Sequence, residues 1–251
     1  MKKLVSLFSV LIVLVFVSFS CTKYKGNGTL ILAIHPTING SDIDIANTIY
    51  NESTQGVRFR MDHLEFYISA IKLIKKDNTV VSLTGADAVR LFYWKDIYAK
   101  TATYTIPAGE YKQISYTIGL DNTLNRTVPD DYNTNHPMGT NSGNYWIMNN
   151  SYIFSKLEGF VDTSNTPGAP LTYSYVYHIG DNGYTKDVSF NKSFTLKEKE
   201  TVEIPFNMDV LKLWNGPTPI NFKTELETHT TNKPDIANRL LNNYAAAITL
   251  E

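Results

Sequence analysis

Beyond residue 28 the apolar positions recur with a period of two far more often than with the 3.6 of a helix, the mark of half-buried strands. Thr29 to His35 is apolar on both faces, Leu30, Leu32 and Ile34 against Ile31 and Ala33, as a buried central strand would be. Pro36 is expected to end it. Val57, Phe59 and Met61 alternate, and Phe66 to Leu73 leads through the turn Lys75-Lys76-Asp77-Asn78 into a second run, Thr79 to Leu83. After Tyr104-Thr105-Ile106 and Pro107-Ala108-Gly109-Glu110, the alternation is strictest at Lys112, Ile114, Tyr116 and Ile118. Further strands are read at 152–157, 172–179, 188–196 and 201–206, the last two joined by Lys197-Glu198-Lys199-Glu200. Helical patterning is confined to Val210 to Trp214 and to Asp235 to Tyr244, which Pro234 and Asp235 start. Many short strands and few helices predict an all-β fold, an antiparallel β-sandwich with a few short helices. No internal repeat or linker divides residues 29–251, so one domain is expected.

The N-terminus has a different pattern. Met1-Lys2-Lys3 precedes an apolar run from Leu4 to Phe19, then Ser18-Phe19-Ser20-Cys21 and a polar stretch through Gly28. A basic start, a short apolar run and a small residue before the cut describe a secretory signal, too short to favour a spanning helix. A single cysteine placed at that junction is similar to a bacterial lipoprotein signal in relaxed form, Ser18 standing where Leu or Val is commonest. The expectation is a signal peptide over 1–20, a lipidated Cys21, a linker over 21–28, and a protein held in the cell envelope by acyl chains, periplasmic or on the outer-membrane surface. A plain signal peptide with an incidental cysteine, or an uncleaved anchor, is the alternative.

Charge and composition narrow the function. The 251 residues carry 23 basic and 24 acidic side chains, and loss of Lys2 and Lys3 with the signal would take the net charge from -1 to -3. No basic stretch tracks a phosphate backbone, so nucleic acid is not an expected partner. With one cysteine there is no disulfide and no paired-cysteine metal motif, and neither a glycine-rich phosphate loop nor a Gly-x-Ser-x-Gly elbow occurs. No catalytic constellation can be assembled, and an enzyme is not expected. The side chains with coordinating power are five histidines. His35 and His178 are read at strand ends, from which they could converge at one edge of a sandwich. His136 lies in the polar loop Asp130 to Pro137, where long structured loops often carry function. For His35 and His178 taken singly, a hydrogen-bonded edge histidine is the plainer reading. His63 and His229 read as structural or solvated.

The order His35-Pro36-Thr37-Ile38-Asn39-Gly40, Phe66 to Leu73, Ile118-Gly119-Leu120-Asp121 with Asn125, Tyr145-Trp146 followed by Tyr152 to Gly159, and Tyr177-His178-Ile179-Gly180 resembles the MbnP-like family of extracytoplasmic, copper-associated proteins. The resemblance runs through most of residues 29–206 and looks like the short lipoprotein form of Bacteroidetes-type bacteria. It implies a β-sandwich that binds copper, in which a tryptophan of some members is oxidised to kynurenine by a dihaem peroxidase-like partner and joins histidines in the site. By motif position it carries His178, His35 and Trp146 into that site. The chain departs from the family where Asn144 replaces a Met and Met148 the second Trp of the aromatic segment; Met148 would offer Cu(I) a thioether. Ordinary core packing is the other reading of Trp146.

Two function classes follow. The first is a lipid-anchored copper-binding protein in uptake, buffering or delivery. The second is a surface module that binds a glycan or protein through its loops, where 16 tyrosines and three tryptophans offer stacking surfaces. Convergence of His35, His178 and Trp146 or His136 would favour the metal.

Overall fold

The computed structural model describes residues 24–94, 100–164 and 166–251. The signal and residues 21–23 of the linker, Cys21 among them, lie outside the described residues. The chain forms two sheets packed face to face. The smaller is built on Asn27–Ile38, flanked by Thr201–Asp209 and Thr101–Pro107, with Ser41–Asp42 and Ile248–Leu250 at its margins. The larger is built on a 19-residue strand, Val57–Lys75, which joins the two runs read from sequence into one. That strand pairs with Ser151–Asp162 along its first half and with Gly109–Ile118 along its second. Lys186–Leu196 continues the sheet beyond one of these partners, and Tyr173–Gly180 followed by Glu227–His229 continues it beyond the other.

The inner faces supply the core. Leu30, Leu32, Ile34, Ile204 and Phe206 from the small sheet meet Phe59, Phe66, Ile114, Leu157, Tyr175 and Tyr177 from the large one, each at most 1% exposed. Trp214 closes one end, stacked on Phe222 at 4.2 Å between ring centres and edge-on to Tyr175 at 5.7 Å. Trp94 ties the layers by donating its Nε1–H to the Ile34 carbonyl at 3.1 Å. The helix Pro234–Ala247 buries Ile236, Ala237, Leu240, Leu241 and Tyr244. It is pinned by the Ser155 hydroxyl donating to Tyr244 Oη at 2.7 Å.

The sandwich stands, and two details differ from the reading. The sheets are mixed: Asn27–Ile38 runs parallel to Thr201–Asp209, and Tyr173–Gly180 parallel to Glu227–His229. In both cases the intervening chain is long enough for the crossover that parallel pairing needs. Pro36 does not end its strand, which runs to Ile38. The neighbour Thr101–Pro107 stops opposite Ala33, but Pro36 still accepts from Ile43 N at 3.2 Å and the strand stays paired to Thr201–Asp209 through Thr37, so the one donor the proline lacks does not end it. Position 35 is therefore mid-strand. A second, smaller core lies on the outer face of the large sheet, where the excursion 119–150 packs Leu120, Leu124 and Met138 against Tyr67, Tyr152 and Phe154.

Removing the indole at the closed end should cost heavily: Trp214→Ala is expected to destabilise the protein by about 3–5 kcal/mol, read from chemical denaturation.

Candidate metal centre

Strand alternation sends Leu157, Tyr177 and Ile179 into the core and leaves Lys156, Glu158 and His178 on the outer face of the large sheet. The excursion 119–150 covers part of that face, and Lys156 at its margin donates to the Gly143 carbonyl at 2.9 Å. Beyond Lys156 lies His178, whose neighbour on the next strand is His229, its partner in the parallel register. The two rings stand edge to face with centres 5.1 Å apart. Trp146 lies over both, 6.2 Å from the His178 ring and 6.4 Å from that of His229.

Each member has a local cause. Trp146 is placed by the two-residue strand Tyr145–Trp146, which pairs with Ser151 and Tyr152. The indole reaches across Gly180, where a Cβ would come within 2.3 Å of the Tyr152 carbonyl and 3.2 Å of the indole itself. The absence of a side chain there is a packing requirement. His229 is fixed by its backbone N–H donating to Asn232 Oδ1 at 2.7 Å. The following Thr230 sits at a φ of 62° and bridges the strands, its hydroxyl accepting from Gly180 N at 2.9 Å and donating to the His178 carbonyl at 3.1 Å.

His178 is oriented by Glu158, with Nε2 and Oε1 2.6 Å apart. When Nε2 carries the proton and donates to the carboxylate, Nδ1 keeps the lone pair, the arrangement by which carboxylates orient metal-binding imidazoles. Burial holds the His178 pKa below the ordinary imidazole value; Glu158 pulls it up, and the nearby His229 and Lys156 push it down again. The ring is thus neutral at pH 7 and available as a ligand.

The other candidates lie apart. His35 is on the small sheet, its Nδ1 2.9 Å from Glu251 Oε1, in a cleft with Asp42, Asn207 and Asp209. The convergence of His35 with His178 expected from sequence does not occur, because the two strands belong to different sheets. His136 stacks on Tyr132 at 4.7 Å between ring centres and accepts from the Met138 N–H at 3.1 Å. It lines a cavity of about 590 Å³ with His63, Glu65 and Lys156. There His63 Nε2 stands 3.0 Å from Glu65 Oε2, outside hydrogen-bond alignment. Burial raises the Glu65 pKa, but His63 and Lys156 outweigh it and hold the carboxyl below its usual range. Met148 is 98% exposed at the turn after Trp146. Among the described residues no three His, Cys, Asp or Glu side chains are arranged to hold a metal ion, so the donors that meet are two imidazoles.

The family model for MbnP matches residues 27–234. The chain belongs to the MbnP family. The solved structure of MbnP from Methylosinus trichosporium is similar in fold, with a TM-score of 0.58 at 11% identity, covering 89% of this chain and 98% of that one. Nothing among curated proteins matches significantly. In this MbnP-family sandwich the Tyr-Trp and Tyr-His-Ile-Gly segments meet at one place, whereas His35 of the first strand does not join them.

His229, read from sequence as structural or solvated, is the member of the pair that reading did not single out. A three-residue strand in a Thr-rich stretch has no periodic signal, and its pairing partner lies 51 positions earlier.

Glu158→Gln should lower the His178 titration midpoint further, since the neutral amide removes the upward pull; NMR titration of the ring reads this directly. Because the folded-state pKa of His178 is depressed, the unfolded chain binds the extra proton first. The stability of the metal-free protein should therefore be full above about pH 6.5 and fall as the pH drops below it.

Proposed function

We propose that this protein is a lipid-anchored, extracytoplasmic copper-binding protein of the cell envelope, acting in copper uptake, buffering or delivery and catalysing no reaction itself. His178 and His229 are the ligands, Glu158 orients the first, and Trp146 caps the pair. The observation that carries the reading is the pairing of two imidazoles 5.1 Å apart beneath an indole, on the face where the family's aromatic and histidine segments meet. Copper suits the donors. Cu(I) has a closed shell and accepts few ligands, and imidazole serves it well, whereas a structural zinc site asks for four protein ligands. Copper here is cargo, and the site's contribution is to keep one imidazole neutral and pre-oriented.

Membership of the family extends the proposal to a dihaem peroxidase-like partner, with Trp146 as the residue open to modification, since Met148 stands at the position of the family's second Trp. The indole is only half buried, so a partner could approach it. His35 and His136 remain outside the site, each held by contacts of its own.

Metal analysis of protein purified without a metal-binding tag and titrated with Cu(I) and Cu(II) tests this. Near-stoichiometric copper is expected, lost in His178→Ala and in His229→Ala and retained in His35→Ala and His136→Ala. Copper should leave as the pH falls below about 6, because both ligands must be neutral. Copper retained by both site variants, or lost in His35→Ala, would place the site elsewhere.

A further inference from the structure

The chain enters the sandwich at one end of both sheets. Tyr24 donates its hydroxyl to Glu110 Oε1 at 2.7 Å, the Gly26 carbonyl accepts from Ala108 N at 2.9 Å, and the Asn27 carbonyl accepts from Lys199 N at 2.8 Å. The turn 75–79 joins the same end, where Lys76 N donates to the Glu110 carbonyl at 2.9 Å and the Lys76 ammonium lies 3.2 Å from Glu110 Oε2. Residues 24–27 are thus bonded to the turns 107–110 and 197–200. Two residues separate Tyr24 from Cys21, and an extended chain covers at most about 3.6 Å per residue, so Tyr24 lies within roughly 11 Å of the Cys21 backbone. An acylated Cys21 is held at the headgroups, and this end of the sandwich is held there with it.

The charges at this end suit that neighbour. Lys25, Lys76, Lys197 and Lys199 are exposed, against Asp77 and Glu198. The other two carboxylates are engaged within the fold, Glu110 by Tyr24 and Lys76, and Glu200 Oε2 by the Lys197 N–H at 2.8 Å. A basic excess at one end of an otherwise acidic protein is drawn to anionic headgroups. We propose that this end, the turns 75–79, 107–110 and 197–200 around Tyr24, is a membrane-apposed surface that sits on anionic lipid headgroups. The inference rests on the lipid anchor of the proposed function, and it sets the height of the histidine pair. Lys156 joins Glu65 to His178 across the large sheet, and ten residues of strand separate Glu65 from Lys75 at the base, roughly 30 Å at about 3.3 Å per residue. The pair and Trp146 therefore open sideways from a wall of the sandwich, clear of the bilayer and open to a partner held on the same membrane.

Spin labelling of the acylated full chain in vesicles of phosphatidylglycerol and phosphatidylethanolamine tests this, because lipid on Cys21 leaves an introduced cysteine as the one free thiol. Nickel-chelating lipid in the vesicles broadens a nitroxide only at short range. Glu198→Cys puts the label at the base, and Ser53→Cys puts it in the turn before Val57, at the other end of the 19-residue strand. Loss of most of the signal amplitude is expected at 198 and none at 53, with part of the loss at 198 recovered when Lys25, Lys197 and Lys199 are all replaced by Gln. Equal amplitudes at the two positions, or loss at 53 alone, in an acylated and vesicle-bound protein would overturn the inference and leave the anchor standing. Unchanged loss at 198 in the triple Gln variant would overturn the part given to the lysines. A chain whose N-terminal peptide carries no acyl group by mass spectrometry and which stays off the vesicles would overturn the anchor, and the inference with it.

Discussion

The candidate centre depends on strand register. Ser151–Asp162, Tyr173–Gly180 and Glu227–His229 lie side by side, and Lys156 pairs with His178 as His178 pairs with His229. Because side chains alternate across a sheet, a slip of one residue in either pairing would turn an imidazole into the core and a tyrosine or threonine out of it. The register is held from both sides. Leu157, Tyr177 and Ile179 fill the sandwich interior, and Thr230 stitches His178 to Gly180 from the outside. Two imidazoles that are far apart in sequence thus need no loop to bring them together.

The excursion 119–150 does the remaining positioning, and its most recognisable residues are structural. Gly119 takes a φ of 100°, Asp121 caps the short helix Asn122–Asn125 through Oδ1, and the buried Asn125 accepts from the Tyr152 N–H at 2.8 Å. These contacts seat the second core on the outer face and deliver Tyr145-Trp146 to the edge of the site. Part of the motif that marks the family therefore builds the frame, and only Trp146 and His178 of the residues it highlights stand at the centre.

Much of this was legible in the chain. Period-two alternation located the strands and the sandwich, and the meeting of Trp146 with His178 follows from segments that resemble the family's own. What escaped was decided by distant partners. Pro36 reads as a terminator, but pairing with Thr201–Asp209 carries the strand past it, so His35 falls mid-strand beside Glu251. Glu158 looks like a strand-end carboxylate until the neighbouring strand puts an imidazole 2.6 Å away. His229 has no local signal at all, because its strand exists only through pairing with Tyr173–Gly180.

X-ray absorption at the copper edge of the Cu(I)-loaded protein tests the central claim most directly, since it counts the imidazoles around the ion. The account predicts a low-coordinate nitrogen shell with scattering from two imidazole rings, unchanged in Met148→Leu. A shell with no imidazole, with three, or with a sulfur neighbour lost in Met148→Leu would contradict it.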